Sequence, residues 1–98
     1  MTINTKKEAD KLTIAIGGRL DTSTAPELDA EVKKNIEGVT ELTFDLEKLD
    51  YISSAGLRVL LSSQKAMNKQ GSMKVIHVHE EIMEIFEVTG FSDILTIV

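Results

Sequence analysis

Apolar residues alternate with polar ones in "KLTIAIGG", where Leu12, Ile14 and Ile16 share one side, and this period of two predicts a strand ending at Gly17-Gly18. The preceding "TINTKKEAD" supplies a hairpin partner, with a turn near Glu8 to Asp10. The period then changes. In "DTSTAPELDAEVKKNIEG", Thr24 as N-cap, Pro26 in the first turn and Glu27 three residues after Thr24 predict a helix start with a capping box. Ala25, Leu28, Val32 and Ile36 follow as a narrow apolar stripe, and Gly38 ends the pattern. "ELTFDLEKL" alternates again, with Leu42, Phe44 and Leu46 on one face. From Ser54 onward Leu57, Leu60, Leu61 and Met67 recur at helical spacing until Gly71. "SMKVIHV" reads as a strand, "EEIMEIFEVTG" as a helix with Ile82, Ile85 and Phe86 inward and Gly90 at its end, and "ILTIV" as a last strand.

Strands and helices taking turns over short connections imply right-handed crossovers. The expectation is a single α/β domain over residues 1–98, with a mixed, mostly parallel sheet of four to five strands and crossover helices. Composition agrees, since 42% of residues are hydrophobic, 28% are charged and one is proline. A chain of 98 residues buries roughly 60 to 65% of the surface it exposes when unfolded, enough for an aliphatic core.

There is no Cys, which removes disulfides and thiolate metal sites and fits a reducing compartment. No uncharged stretch approaches the ~20 apolar residues of a bilayer crossing, and "MTINTKKEADK" lacks the apolar segment of a secretion signal. We therefore expect a cytoplasmic protein without a membrane partner. A net charge of −5, one Tyr and no Trp argue against nucleic acid.

Chemistry concentrates in "YISSAGL", residues 51–57, where a strand pattern yields to a helix pattern and two serines stand at the joint. One serine is explained by capping, which contributes about 1 kcal/mol over Ala. If Ser53 caps, Ser54 is a first-turn residue with its hydroxyl near the surface; if Ser54 caps, Ser53 lies in the loop. Ala55 and Gly56 add little bulk, so a second protein can approach either hydroxyl. A phosphate placed here meets the positive end of the helix dipole, which stabilises an anion by roughly 0.3–1 kcal/mol. The fold should survive it; a docked partner should not, because burying an unmatched charge costs on the order of 2–5 kcal/mol and weakens binding by tens to thousands of fold. Capping and switching both remain open on spacing alone.

"IGGRLDTSTAPEL" (16–28) and "LDYISSAGLRVLL" (49–61) resemble the two signature stretches of the STAS domain family, specifically its stand-alone bacterial members, the anti-sigma factor antagonists. "EIFEVTGFSDILTI" resembles the family's final helix and the strand after it. The resemblance implies a protein-binding module with no catalytic activity of its own and no cofactor. In that family a serine opening the helix after the third strand is phosphorylated by an anti-sigma factor that is itself a kinase. A metal-dependent serine phosphatase restores it, and the unphosphorylated form binds the kinase and frees a sigma factor. Alignment on Gly56 and Leu57 places the phosphorylated serine on Ser54. Many members carry Asp immediately before that serine and Ser or Thr after it; here the neighbours are Ser53 and Ala55, which makes Ser53 a second candidate acceptor.

The aspartate that ends the first signature falls on Asp21, which orients the Ser54 hydroxyl or contacts the partner, or else only organises the turn before Thr24. Thr22 and Ser23 extend that polar rim. The expected partner-binding set is Asp21, Thr22, Ser53, Ser54, Ala55 and Gly56. Outside the sigma-factor reading, a STAS module of another signalling assembly is the neighbouring alternative, and a small hydrolase using Ser54 or a metal held by His77 and His79 the distant one. The metal reading needs both imidazoles on one strand face with Glu80 or Glu81 beside them; an ordinary strand end explains the pair more simply, and no metal site is expected. No Gly-x-Ser-x-Gly elbow supports a serine hydrolase, and no Gly-x-x-x-x-Gly-Lys loop supports a nucleotide site.

Overall fold

In the computed structural model, which describes residues 1–98, the alternating segments pair into one four-stranded sheet. β1 (Thr2–Glu8) runs antiparallel to β2 (Lys11–Leu20), with Glu8 opposite Lys11. Between them Ala9 takes φ 55°, the left-handed value that a two-residue hairpin turn requires. β3 (Glu41–Ile52) lies parallel to β2, and β4 (Ser72–Ile76) parallel to β3, so the order across the sheet is β1-β2-β3-β4. The two crossovers are α1 (Ala25–Asn35) and α2 (Ser54–Gln70). Both step in the same direction, so the right-handed rule puts both helices on one face. α3 (Glu80–Thr89) follows β4, and Gly90 at φ 82° turns it into a short 3-10 segment, Phe91–Asp93.

The covered face is the one the sequence alternation marks. Leu12, Ile14, Ile16, Leu42, Phe44, Leu46, Met73 and Val75 are all buried there. They join Leu28 and Val32 of α1, Leu57, Leu60 and Met67 of α2, and Ile82 and Phe86 of α3 in one cluster of 22 residues. Leu61 and Ile85 are only half-buried, while Val59 is buried. The opposite face carries Thr13, Ala15, Thr43, Asp45 and Lys74, which are half-buried or exposed. Such division is usual where helices cover only one side of a sheet.

Three expectations need correction. β3 does not stop at Leu49 but runs to Ile52, because two register shifts against β2 each insert an extra β3 residue. After Leu46 the buried positions are Leu49 and Ile52, three apart, and simple alternation no longer reports the strand. The segment "ILTIV" forms a single parallel bridge, Val75 to Ile97, rather than a strand. The Phe91 carbonyl accepts the N–H groups of Ile94 and Leu95 at 3.0 and 2.8 Å, so extended geometry begins only near Thr96. The capping box at α1 is also absent: Thr24 sits at the N-cap but its hydroxyl makes no bond to the helix.

Candidate functional site

The sheet's parallel centre brings the two loops of interest together. Leu20 and Ile52 are opposite one another at the ends of β2 and β3, and the Ser53 N–H donates to the Leu20 carbonyl at 2.9 Å. The loop from Asp21 and the joint at Ser53 and Ser54 therefore leave the same edge side by side, at the carboxyl ends of parallel strands.

Ser53 is the N-cap of α2, with φ −98° and ψ 177°, and its carbonyl accepts the Leu57 N–H at 3.0 Å. Its hydroxyl oxygen is buried and has no hydrogen-bond partner. Ser54 is the first residue of the helix and is exposed. The structure thus presents the two neighbours differently: the Ser53 hydroxyl is buried, whereas Ser54 is an exposed residue. Ala55 is half-buried beside Ser54. Gly56 is buried, and a Cβ there would lie 2.6 Å from Leu20 Cγ and 2.9 Å from Ile52 Cγ1. That corrects its expected place in the partner surface. Gly56 leaves room beneath the helix, for Leu20 and Ile52, rather than above it for a second protein.

Asp21 organises the loop before α1. Its Oδ1 accepts the Ser23 hydroxyl at 2.7 Å, the Ser23 N–H at 3.0 Å and the Thr24 N–H at 3.2 Å. Its carbonyl accepts the Ala25 N–H at 2.8 Å, while Thr24 Oγ1 accepts the Asp21 N–H at 2.8 Å and donates to the Arg19 carbonyl at 2.9 Å. The Ser23 hydroxyl foremost, aided by the N–H groups of Ser23 and Thr24, holds the Asp21 carboxyl below its ordinary value despite the opposing effect of burial. Arg19 Nε stands 3.7 Å from Asp21 Oδ2, and its guanidinium lies 4.2 Å from the centre of the Tyr51 ring. No hydrogen bond joins Asp21 to either Ser53 or Ser54, so the carboxylate serves the turn. Thr22, exposed in that loop, lines a groove of about 360 Å³ with Ala25, Pro26, Asp29, Ala55, Arg58 and Val59. The groove runs between the first turns of α1 and α2, next to Ser54. Sequence reasoning missed Arg58, although its position one turn after Ser54 was a legible signal.

The histidines do not share a strand face. β4 ends at Ile76, and His77 takes φ 56°, which turns the chain out of the sheet. His77 Nδ1 meets Asp45 Oδ1 at 2.9 Å, whereas His79 Nε2 bonds the Glu47 carbonyl. The Asp45 hydrogen bond and charge raise the His77 pKa above its ordinary value. Partial burial pushes Asp45 upward, but the His77 bond, the Glu47 N–H and the nearby positive charges prevail and lower it. No three His, Cys, Asp or Glu side chains converge where a metal ion could be held, and neither imidazole hydrogen-bonds a serine. No helix is long and apolar enough to cross a membrane.

A family model for the STAS domain matches residues 2–98. The chain belongs to the STAS domain family. BtrV of Bordetella bronchiseptica, provisionally named an anti-sigma factor antagonist, is 34% identical over 96 residues, spanning 95% of this chain and 83% of that protein. The anti-sigma-B factor antagonist of Bacillus subtilis is 29% identical over 98 residues, spanning 99% of this chain and 90% of its own. Among solved structures, the anti-sigma factor antagonist SpoIIAA in its unphosphorylated form superposes with a TM-score of 0.79 at 16% identity, covering 99% of this STAS chain and 87% of SpoIIAA. The phosphorylated form of SpoIIAA, a Bacillus cell fate determinant, gives 0.78 with 91% of its chain covered. At these identities the two structures establish a shared fold, with its four-stranded mixed sheet and three helices.

Proposed function

We propose that this STAS domain is an anti-sigma factor antagonist switched by phosphorylation of Ser54. In its unphosphorylated form it binds an anti-sigma factor that is also a serine kinase, and that binding frees a sigma factor. The kinase transfers the γ-phosphoryl group of ATP to Ser54 Oγ: the β–γ P–O bond breaks, the Oγ–P bond forms, the hydroxyl proton is lost and ADP leaves. A serine phosphatase hydrolyses the ester and resets the cycle. The setting is the cytoplasm, where ATP and sigma factors are found.

The observation that carries this reading is the exposure of Ser54 on the first turn of α2, beside a neighbour whose hydroxyl is buried. A dianion at Ser54 lies in solvent and at the positive end of the helix, so it leaves the core untouched. The two forms of SpoIIAA match this chain almost equally well, which supports a fold that persists through phosphorylation. A partner docked over Ser54, by contrast, would have to desolvate about two negative charges. The test is incubation with the cognate kinase and ATP, followed by mass spectrometry. Phosphate on Ser54 alone is the expected result; phosphate elsewhere, with Ser54 unmodified, would overturn the assignment.

A further inference from the structure

Helix α2 contains no Asp or Glu between Ser54 and Gln70, although the chain as a whole carries a net charge of −5. Five of its exposed residues, Ser54, Arg58, Ser62, Lys65 and Lys69, lie within one face of the helix, so a row of cations descends from the serine. Arg58 is the first of them, at the i,i+4 spacing that brings side chains within about 5–6 Å at Cβ.

Arg58 is also uncommitted. The chain's ion pairs join Lys6 to Glu8, Lys11 to Glu41, Arg19 to Asp21, Lys33 to Asp29 and His77 to Asp45, and none includes it. Asp29, the acid that shares the groove with Arg58, is held by Lys33 at 2.8 Å. Arg19, at the same end of the sheet, is engaged by Asp21 and stacked on Tyr51. Of the two arginines, only Arg58 is free to meet a new anion. An anion preceding its cation by four residues is the favourable order on a helix, and a guanidinium binds a phosphate through two parallel N–H donors.

We propose that Arg58 is the intrachain counter-ion of a phosphoryl group on Ser54, moving from the groove to contact it; this rests on the reading of Ser54 as the modified residue. Phosphorylation then changes two things at once. It adds charge at position 54, and it withdraws a cation from the groove lined by Thr22, Ala25, Pro26, Ala55 and Val59.

The experiment installs phosphoserine at position 54 during translation, so it needs no kinase, and follows the phosphate by ³¹P NMR across pH 4 to 8. A paired guanidinium favours the dianion, so Arg58→Gln should raise the second phosphate midpoint by about half a pH unit. Arg58→Lys should keep most of the wild-type shift, and Lys65→Gln, three turns away on the same face, should leave the midpoint unchanged. Equal midpoints in the wild type and Arg58→Gln would overturn the proposal, as would an equal displacement by Lys65→Gln. Either result would leave phosphorylation of Ser54 to be decided by the kinase assay.

Discussion

Replacing Ser53 with Ala tests the local physics of the site, because the usual rule for this position should fail. A serine at a helix N-cap typically contributes about 1 kcal/mol over Ala by accepting a first-turn N–H. Here no such side-chain bond exists. The bond that does close this end, from the Leu57 N–H to the Ser53 carbonyl at 3.0 Å, belongs to the backbone and survives the substitution. The hydroxyl is instead buried without a partner, a state that costs about 1–3 kcal/mol. Removing it forfeits no bond and relieves part of that penalty. Stability should stay level or rise by up to about 1 kcal/mol, which for a chain of this size is an increase in Tm of about 4–8 °C. Thermal and urea unfolding followed by circular dichroism measure this directly. A loss of about 1 kcal/mol or more would refute the reasoning, since it would mean that the hydroxyl caps α2 in solution. The same variant should accept phosphate from the kinase as readily as the parent, because Ser54 is untouched.

Gly71→Ala should be severe. Its Cβ would lie 2.0 Å from the Thr40 carbonyl oxygen, which the Ser72 N–H holds at 2.9 Å, so backbone must move. After the small gain from a stiffer unfolded chain, the net cost is about 2 kcal/mol or more, a fall in Tm of about 8 °C or more; an unchanged Tm would contradict the packing at the end of α2. The His77 to Asp45 pair makes stability depend on pH at both ends. Because His77 is raised above 6.5, its contribution is full below that value and is lost as pH climbs through the folded pKa. Because Asp45 is lowered below 3.8, its contribution is present above that value and is lost as pH falls through the folded pKa. An NMR titration should place His77 above 6.5 in the parent and nearer 6.5 in Asp45→Asn; an unshifted parent midpoint would rule out the pair.

Where local pattern and tertiary environment coincide, the sequence was sufficient. β2 and the first half of β3 alternate because one face meets the helices and the other meets solvent, and Gly71 and Gly90 stop α2 and α3 where the apolar spacing ends. The nearness of Asp21 to the serine pair was also legible, because adjacent parallel strands send their loops off the same edge. The misses all depend on what lies opposite. The length of β3 follows from extra residues set against β2, and nothing within "LEKLDYI" announces them. Gly56 looked like clearance for a partner because only the fold puts Leu20 beneath it. Thr24 carried a capping signature, yet the hydroxyl is drawn back to Asp21 and Arg19 by the turn that precedes it. The groove beside Ser54 needs α1 and α2 side by side, which no single helix pattern reveals.

In this account the scaffold is indifferent to the modification and the docking surface is not. α2 begins on an exposed serine, close to a glycine that seats the helix on Leu20 and Ile52. On the function proposed above, charge added there would change the surface a partner meets and would lie outside the 22-residue core, which includes neither Ser53 nor Ser54.

The most direct test is to measure the dissociation constant of the cognate anti-sigma kinase for the parent, Ser54→Ala and Ser54→Asp. The parent and Ser54→Ala should bind alike, and Ser54→Asp should bind more weakly by tens of fold or more, as expected for burying an unmatched charge at about 2–5 kcal/mol. Binding of Ser54→Asp as tight as that of the parent would contradict the central claim.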